Sequence, residues 1–273
     1  MHQNTWPIDE RAATPPDGWS GWPDQKKFAL VLTHDVETAV GQEKCHDLVR
    51  LEKELGFRSC FYFVPERYRV SFDLLHYIGS QGFEVGVHGL NHDGRLYHSQ
   101  KIFKTRAVRI NHYLKEWKVV GFRSPSTLHN LDWIHALNIE YDASTFDTDP
   151  FEPQPQGVAT IFPFFVPGNS SHDGYIELPY TIPQDFTLFV LMKENNLQIW
   201  KQKLDWIVER GGMALLTTHP DYMTFSGNKR KTGDYPVDYY LEFLEHIRFK
   251  YEGKYWHVLP KEMASFWSEE RHL

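Results

Sequence analysis

Short apolar runs alternate along the chain with longer segments in which apolar residues recur every three or four positions. From residue 28, the run FALVLT is followed by GQEKCHDLVRLEKELGF, then by SCFYFVP, FDLLHYIGSQG and FEVGVHG. Apolar runs of this length predict buried strands, whereas the helical period predicts amphipathic helices. The pattern therefore predicts a βαβαβ succession in the first third of the chain.

The same rhythm continues to the C-terminus with one interruption. Between about 147 and 190, the segments DTDPFEPQPQG and FFVPGNSSHDG hold too many Pro, Gly, Ser and Asp residues for regular elements, so we expect an excursion over one face. Before this excursion we predict a helix over 98–117, the strand VVGFRSP, a helix over 130–137 and the strand IEYDAS. Within it we predict the strand YIELPY. After it we predict a helix over 196–210, the strand GMALLTTHP, a helix over 236–250, the strand YWHVLP and a closing helix.

Strands separated by helices predict parallel pairing through right-handed crossovers. Such units could form an open doubly wound sheet or a barrel, and the first strand is not followed by a Gly-rich dinucleotide-binding turn, which favours the barrel. We predict an α/β fold, a distorted (β/α) barrel with about seven parallel strands. Residues 1–273 are expected to form a single domain, with residues 1–27, rich in Pro, Gly and Trp, as an arm packed on it.

Composition and charge exclude some partners. The net charge is −7, and the chain has no dense tract of Lys and Arg. Nucleic-acid-binding surfaces are usually basic stripes, so we expect no nucleic-acid partner. No segment has the apolar length that spans a bilayer, and the N-terminal residues lack the pattern of a secretion signal. We therefore expect a cytoplasmic protein without a membrane span, in which Cys45 and Cys60 are reduced core thiols.

Polar side chains gather where the predicted strands end. Four strands close with THDVE, VHGLNHD, FRSP and LLTTHPD. In parallel α/β architectures the carboxyl ends of the strands meet at one face, where catalytic residues are found. Asp35 and Glu37 are two residues apart, so on a strand both carboxylates lie on the same face. His88 and His92 have the HxxxH spacing that brings two imidazoles to one point in a helical turn or a tight loop.

Two histidines and one carboxylate, with room for water, form a recurring catalytic zinc site. Taken alone, each group also has a structural interpretation. Glu37 could belong to a helix cap, HxxxH pairs arise by chance among 15 histidines, Arg123 could form a structural ion pair, and His219 could be a core histidine. These interpretations do not explain why all four groups fall at strand ends of one repeating pattern.

In this order the motifs resemble those of the polysaccharide deacetylase superfamily, metal-dependent carbohydrate esterases and amidases similar to chitooligosaccharide deacetylases. The resemblance covers residues 28 to about 225. The first family motif is usually Thr, an aromatic residue and two adjacent aspartates, whereas this chain has THDVE at 33–37. That spacing is similar to a subgroup with a THDVD/E-type motif, and the amidase branch of the superfamily shows it too.

The resemblance implies a role for each residue of these motifs. It implies that Asp35 is the catalytic base and that Glu37, His88 and His92 are metal ligands. It further implies that Arg123 holds the base and that His219 is the general acid. The aspartate that orients His219 would lie in YDASTFDTD, with Asp142 preferred over Asp147 and Asp149 because it is nearest the strand end. Pro125, at the end of the arginine motif GFRSP, and Tyr180, in the segment ELPYTIPQDFTLF that resembles a family loop flanking the site, are implied as substrate-binding residues.

The activity that the resemblance implies is hydrolysis of an acetyl or formyl group from an amino sugar of a glycan or glycan precursor. It implies a divalent metal cofactor, zinc or alternatively cobalt. Two alternatives stay open: an amidohydrolase acting on a small cyclic amide, as in allantoinases, and a non-catalytic carbohydrate-binding relative. The second alternative should have lost the base or a metal histidine, so the presence of Asp35, His88, His92 and His219 favours an enzyme.

Overall fold

Strands and helices alternate through residues 6–168, 174–225 and 232–270, which are the residues that the computed structural model describes. The strands are β1 (Phe28–Val36), β2 (Cys60–Phe63), β3 (Glu84–His88), β4 (Gly121–Arg123), β5 (Tyr141–Asp142), β6 (Phe164–Pro167), β7 (Gly174–Glu177), β8 (Met213–Thr218), β9 (Met223–Thr224), β10 (Tyr235–Pro236) and β11 (Tyr255–His257). The helices are α1 (Ala39–Leu55), α2 (Phe72–Ser80), α3 (Gln100–Trp117), α4 (Leu131–Ile134), a π-helix (Phe186–Leu191), α5 (Gln198–Arg210), α6 (Asp238–Lys250) and α7 (Pro260–Glu270).

The main sheet is curled and almost entirely parallel. Its strands follow the order β1-β2-β3-β4-β5-β7-β6, and β8 and β11 both pair with β1. Only the β6–β7 pair is antiparallel within the described part of this sheet. The backbone N–H groups of Thr181 and Ile182, just after β7, donate to the carbonyl of Leu215 in β8. The wall of seven parallel strands, β1 to β5 with β7 and β8, confirms the predicted distorted (β/α) barrel.

Most predicted elements are present with shifted bounds, and two expectations need correction. The helix predicted over 130–137 is a single turn, Leu131–Ile134, because the chain must reach β5 within a few residues. Besides the predicted strand YIELPY, which corresponds to β7, the described part of the excursion over 147–190 contains two regular elements that the sequence pattern does not predict, namely β6 and the π-helix. Its Pro and Gly residues mark turns, but the short apolar runs between them pair with each other and with β5.

Strand β1 lies in the middle of the sheet, with paired strands along both of its edges, and is buried along all nine of its residues. His34 points to its outer face, where Nδ1 lies 2.7 Å from Thr218 Oγ1 and Nε2 lies 2.7 Å from Glu52 Oε1. The hydroxyl groups of Ser59 and Tyr240 donate to the same carboxylate. A buried carboxylate is strongly destabilising unless it is paired and hydrogen-bonded. This network therefore joins α1, α6 and β2 to the back of β1.

The described part of the N-terminal arm packs on the barrel. Trp22 is buried, and its indole N–H donates to the carbonyl of Gly211 at 2.7 Å. Lys203 Nζ donates to the carbonyl of Pro7. Cys45 and Cys60 are both buried free thiols, as expected. Among the residues described, no helix combines the length and apolar character needed to cross a membrane.

A buried pair of carboxyl groups joins β5 to β7. Asp142 and Glu177 are opposite each other in the parallel register, and both are fully buried. Glu177 Oε1 accepts hydrogen bonds from the backbone N–H groups of Ser144 and Thr145, and Asp142 Oδ1 accepts one from the Ser144 hydroxyl. Burial raises the pKa of both groups, and the charge of Asp142 raises the pKa of Glu177 further. Both pKa values are thus shifted in the direction that favours a proton shared between the two carboxyl groups.

This pair predicts a pH-dependent stability that can be removed by one substitution. Because the pKa of Glu177 is higher in the folded than in the unfolded protein, its contribution is fully present below about pH 4 and is lost as pH rises toward the folded-state value. In Glu177→Gln the amide oxygen can still accept the Ser144 and Thr145 hydrogen bonds, and nothing ionises. Urea unfolding should show the variant gaining free energy of unfolding relative to the parent between pH 4 and 9, by at least about 1.4 kcal/mol, the equivalent of one pKa unit.

Glu140→Gln is the matched control, because Glu140 precedes the same strand but is exposed. Its free energy of unfolding should follow that of the parent across the pH range. Parallel curves for the parent and Glu177→Gln would show that the pair does not hold a proton.

Candidate active site

The carboxyl ends of β1, β3 and β8 open on a cavity of about 250 Å³. Its lining includes the polar residues that the sequence places at strand ends, namely Asp35, Glu37, His88, His92 and His219. A larger cavity of about 670 Å³ lies near α2 and α3, but none of these five residues lines it. The smaller cavity is therefore the candidate active site.

The turn from β1 into α1 fixes the position of Glu37. Asp221, which follows His219-Pro220, accepts hydrogen bonds from the Glu37 backbone N–H at 2.9 Å and from the Thr38 hydroxyl at 2.5 Å. Thr38 in turn caps α1 by accepting from the backbone N–H of Val40. A Cβ atom on Gly41 would lie 2.3 Å from Asp221 Oδ2, so only glycine permits this close approach. The end of β8 thus holds the end of β1.

Glu37, His88 and His92 form a cluster suited to a metal ion. One potential ligand atom from each lies within 4.8 Å of the others. The two histidines are separated by a tight loop rather than a helix, with Gly89 at φ 59° and His92 at φ 53°. His92 Nε2 lies 2.9 Å from Glu37 Oε1. The HxxxH spacing therefore brings two imidazoles together as predicted.

The donor atoms of this cluster fit a divalent metal. His88 Nδ1 lies 3.1 Å from the carbonyl of Arg123, which fixes the proton on Nδ1 and leaves Nε2 facing the cluster. Nε2 of His88 and Nε2 of His92 are buried and have no hydrogen-bond partner of good geometry among the described residues. Two nitrogen donors and one carboxylate are a ligand set that zinc binds, with a position left for water.

The charges around Glu37 keep its carboxylate ionised, as a metal ligand must be. Burial opposes the charged form, but the close contact with the His92 imidazole and the positive charge of His219 outweigh it and lower the pKa of Glu37 to about 2. Burial lowers the pKa of His88 to about 4, so its imidazole is neutral at physiological pH. A neutral imidazole and an anionic carboxylate are the protonation states that bind metal.

Asp35 lies beside the cluster and is held by a buried arginine. Arg123 Nη1 donates to Asp35 Oδ1 at 3.0 Å and to Thr33 Oγ1 at 2.9 Å, and its Nε donates to the carbonyl of Ala143 at 2.8 Å. The other Asp35 oxygen lies 3.9 Å from His88 Nε2. Burial disfavours the Asp35 carboxylate, but the charge of Arg123 lowers its pKa nonetheless. Asp35 is therefore an ionised carboxylate with one oxygen anchored and one facing the cluster.

His219 lies across the cavity from His88 and is oriented by Asp185. Its Nδ1 is 2.7 Å from Asp185 Oδ1, and its backbone N–H donates to Asp185 Oδ2 at 2.8 Å. The Tyr235 hydroxyl also donates to Asp185 Oδ2. Burial disfavours the imidazolium, but Asp185 outweighs burial and raises the pKa of His219 to about 10. His219 Nε2 points between Asp35 Oδ2 and Glu37 Oε1, at 4.0 Å from each.

The prediction that Asp142 orients His219 is wrong. Asp142 contacts Ser144 and faces Glu177 in the barrel wall. The two other candidates have different partners as well, because Asp147 pairs with Lys203 and Asp149 accepts from the hydroxyl of Tyr180. Asp185, which does contact His219, belongs to the segment ELPYTIPQDFTLF, whose resemblance to a loop flanking the site was the only clue to it in the sequence.

Neither residue implied as substrate-binding lines the cavity. Pro125 is buried, and its ring packs where a Cβ on Gly89 would otherwise lie. Tyr180 is also buried, and its hydroxyl donates to the carboxylates of Asp149 and Glu152. Neighbours of both residues do line the cavity, among them Ser126, Thr127 and Gln184.

The rest of the cavity wall consists of residues that the sequence did not single out. Ser126 and Thr127 both have left-handed backbone conformations, with φ 54° and 48°, which are uncommon for such residues and cluster at functional sites. Further lining comes from Phe151, Glu152, Pro153, Phe186, Thr187, Leu191 and Tyr222. Most of these residues come from the Pro-rich excursion and the π-helix, where no periodic pattern shows which side chains face inward.

Comparison with known proteins gives matches among solved structures alone. No protein-family model and no curated protein sequence matches the chain. A protein from Mycobacterium smegmatis described as a polysaccharide deacetylase is 18% identical, with a TM-score of 0.66 over 94% of this chain and 96% of that one. The PuuE allantoinase is 15% identical, with a TM-score of 0.67 over 94% of both chains.

A third similar structure is the peptidoglycan deacetylase PdaC from Bacillus subtilis. It is 15% identical, with a TM-score of 0.52 over 92% of this chain and 96% of that one. Each match spans nearly the whole of both chains, so the similarity concerns the complete barrel and its connections. The chain has the polysaccharide deacetylase fold, which the PuuE allantoinase shares.

Proposed function

We propose that this protein is a metal-dependent hydrolase that removes an acetyl or formyl group from the nitrogen of an amino sugar. The observation that carries the proposal is the placement of Asp35 and His219 beside the Glu37, His88 and His92 cluster, each about 4 Å from one of its members. An ionised carboxylate and a protonated imidazole both face the position that a metal would occupy. A base and an acid at one metal site are what amide hydrolysis by water requires.

A divalent ion held by Glu37, His88 and His92, which we expect to be zinc or alternatively cobalt, would acidify water and polarise the acyl oxygen. Asp35 would accept the proton of the attacking water through Oδ2, while Arg123 keeps Oδ1 in place. No nucleophilic serine or cysteine is needed, because the water attacks the acyl carbon directly. The turn at Ser126 and Thr127 would face the acyl group from the cavity wall.

His219 would then donate a proton to the leaving nitrogen. An amine is a poor leaving group unless it is protonated, so amide hydrolysis needs an acid that is charged at neutral pH. The anionic Asp185 keeps His219 in that state, and the hydrogen bond at Nδ1 directs the second proton, on Nε2, into the cavity. The acid and the base thus differ in protonation because one faces a guanidinium and the other a carboxylate.

A second candidate is hydrolysis of a small cyclic amide. The TM-score of 0.67 with the PuuE allantoinase is as high as that with the Mycobacterium smegmatis protein, and it favours this alternative. The same acid, base and cluster would serve both reactions, because each breaks an amide bond. We place the amino-sugar deacylase first because two of the three described matches are named deacetylases. A cytoplasmic location, with a soluble or lipid-linked saccharide as substrate, completes the proposal.

The activity is tested by measuring which product is released from a substrate panel. The zinc-loaded protein should release acetate or formate from N-acetylated or N-formylated amino sugars, and a chelator should abolish the release until zinc or cobalt is restored. Ring opening of cyclic ureides without reaction of any amino sugar would favour the second candidate. Undiminished turnover by the fully demetallated protein would exclude both.

Loss of the Asp35 carboxylate should lower turnover, whereas loss of the Glu37 carboxylate should weaken metal binding. Asp35→Asn should retain the metal but lower kcat by about 10²- to 10⁴-fold, the contribution of a general base. Glu37→Gln should instead lose metal, because a neutral oxygen replaces an anionic ligand. The two variants control for each other, since each replaces one carboxylate by an amide of the same shape. Metal analysis of both proteins decides between the roles, and metal lost only from Asp35→Asn would reverse them.

Asp185→Asn should shift the pH profile of amide hydrolysis. Without the anionic partner His219 loses its proton at lower pH, so the alkaline limb of kcat should move down by about 1–3 pH units, the effect of a nearby opposite charge. Hydrolysis of an aryl acetate should change little, because a phenolate leaves without a proton. Tyr235→Phe is the control, since it removes a neutral donor to Asp185 and leaves the charge. Equal shifts for both substrates would contradict the role of His219 as an acid.

A further inference from the structure

One carboxyl group on the cavity wall has no part in the mechanism above. Glu152 lines the cavity together with the catalytic residues. Its hydrogen-bond partners Thr127, Tyr180 and Gln184 come from the segment after β4 and from the segment after β7. Glu152 itself belongs to the Pro-rich excursion after β5. Three connections at the carboxyl end of the barrel thus meet at one carboxyl group.

The hydrogen bonds of Glu152 leave part of one oxygen free. Oε1 accepts from the Tyr180 hydroxyl at 2.7 Å and from the side-chain amide of Gln184, whereas Oε2 accepts from the Thr127 hydroxyl at 2.5 Å. A carboxylate offers about four lone-pair sites, so Oε2 retains capacity for one more donor. The residue lines the cavity, so a ligand can reach this site.

Among the described residues no cation is in direct contact with Glu152, and the charge of the more distant His219 lowers its pKa without outweighing burial. Each of its three partners is neutral, and no described Lys or Arg forms an ion pair with it. Burial raises the pKa of Glu152 to about 7, against the hydrogen bonds from Thr127 and Tyr180. A carboxyl group that served only to join loops would be unfavourable here, because no cation in contact with it offsets its desolvation. Placement at a cavity wall gives such a group a use in binding.

We propose that Glu152 is a substrate-binding residue, whose Oε2 accepts a hydrogen bond from a hydroxyl or N–H group of the substrate. The proposal rests on the function proposed above, and it adds the requirement that the substrate carry such a donor beside the amide that is cleaved. The hydroxyl groups of an amino sugar and the ring N–H groups of a cyclic ureide both meet this requirement. Tyr180 and Gln184 position Glu152, because the Tyr180 hydroxyl and the Gln184 side-chain amide donate to Glu152 and not to the substrate.

Glu152→Gln tests this proposal with little change to the wall. The Gln oxygen can still accept from Tyr180 and Gln184, and the Thr127 hydroxyl can rotate to accept from the new amide group. What changes is the atom that faces the cavity, because an N–H donor replaces the oxygen acceptor. The matched control is Asp149→Asn, since Asp149 accepts from the same Tyr180 hydroxyl at 3.0 Å but does not line the cavity.

Binding of two probes to the zinc-loaded proteins is measured by calorimetry, with N-acetylglucosamine as the saccharide and hydantoin as the cyclic ureide. At a pH above the pKa of Glu152, where the group is a carboxylate, Glu152→Gln should raise Kd for the probe that binds the parent protein by about ten- to a hundredfold, as expected for a lost hydrogen bond to a charged group. Asp149→Asn should leave Kd unchanged. Hydrolysis of 4-nitrophenyl acetate, which has no hydrogen-bond donor, should proceed equally in all three proteins.

Three results would overturn the proposal. The first is an unchanged Kd in Glu152→Gln, and the second is failure of both probes to bind the parent. The third is a loss of aryl acetate hydrolysis in Glu152→Gln that matches the loss of binding, which would show that Glu152 supports the wall and does not contact substrate. Kd is measured on the same three proteins with Asp35→Asn added, which blocks turnover of the probe, whereas aryl acetate hydrolysis is measured with Asp35 intact. A failure of the deacylase function and a failure of this proposal are therefore distinguishable.

Discussion

The buried ion pair between Arg123 and Asp35 is the interaction on which the rest of the site depends. The guanidinium is 1% exposed, and two of its three nitrogens have fixed partners: Nη1 donates to Asp35 and to the hydroxyl of Thr33, and Nε donates to the carbonyl of Ala143. The guanidinium also lies 4.6 Å from the centre of the Tyr62 ring. These contacts join β1, β2 and β4 with the segment after β5, so the position of the catalytic base is set by four parts of the barrel.

Environment, not residue type, gives the carboxyl groups of this cavity and its surroundings their separate chemistry. Glu37 faces His92 and His219, which lower its pKa, whereas burial without a cationic partner raises the pKa of Glu152 and of Glu177. The same principle separates the acid from the base, because His219 faces Asp185 and Asp35 faces Arg123. The barrel thus places carboxyl groups with lowered and with raised pKa values within a few strands of one another.

The sequence predicts the barrel and the catalytic groups that follow regular strands, but it does not predict contacts made by the irregular segments. Asp35, His88 and His219 end apolar runs that are unmistakable strands, so strand alternation and parallel pairing place them at one face. Asp142 also ends a strand, yet β7 lies between β5 and the closing contact with β8. The segment leading from β7 runs beside β8, and for that reason Asp185 and not Asp142 reaches His219. Such adjacency follows from barrel closure, which no local pattern encodes.

The spacing of the two carboxylates follows from the geometry of β1. On an extended strand, adjacent side chains point to opposite faces, whereas positions 35 and 37 share one face but lie about 6.6 Å apart along the strand. His34, between Thr33 and Asp35, accordingly points to the other face and contacts Glu52. Glu37 follows the last residue of the strand, and its extra methylene, compared with aspartate, lets the carboxylate extend to His92 Nε2 at 2.9 Å. The one-residue separation places both carboxylates on the same face, and the longer side chain of Glu37 lets its carboxylate extend to His92. Together these features bring both carboxylates to the site while β1 stays regular up to Val36.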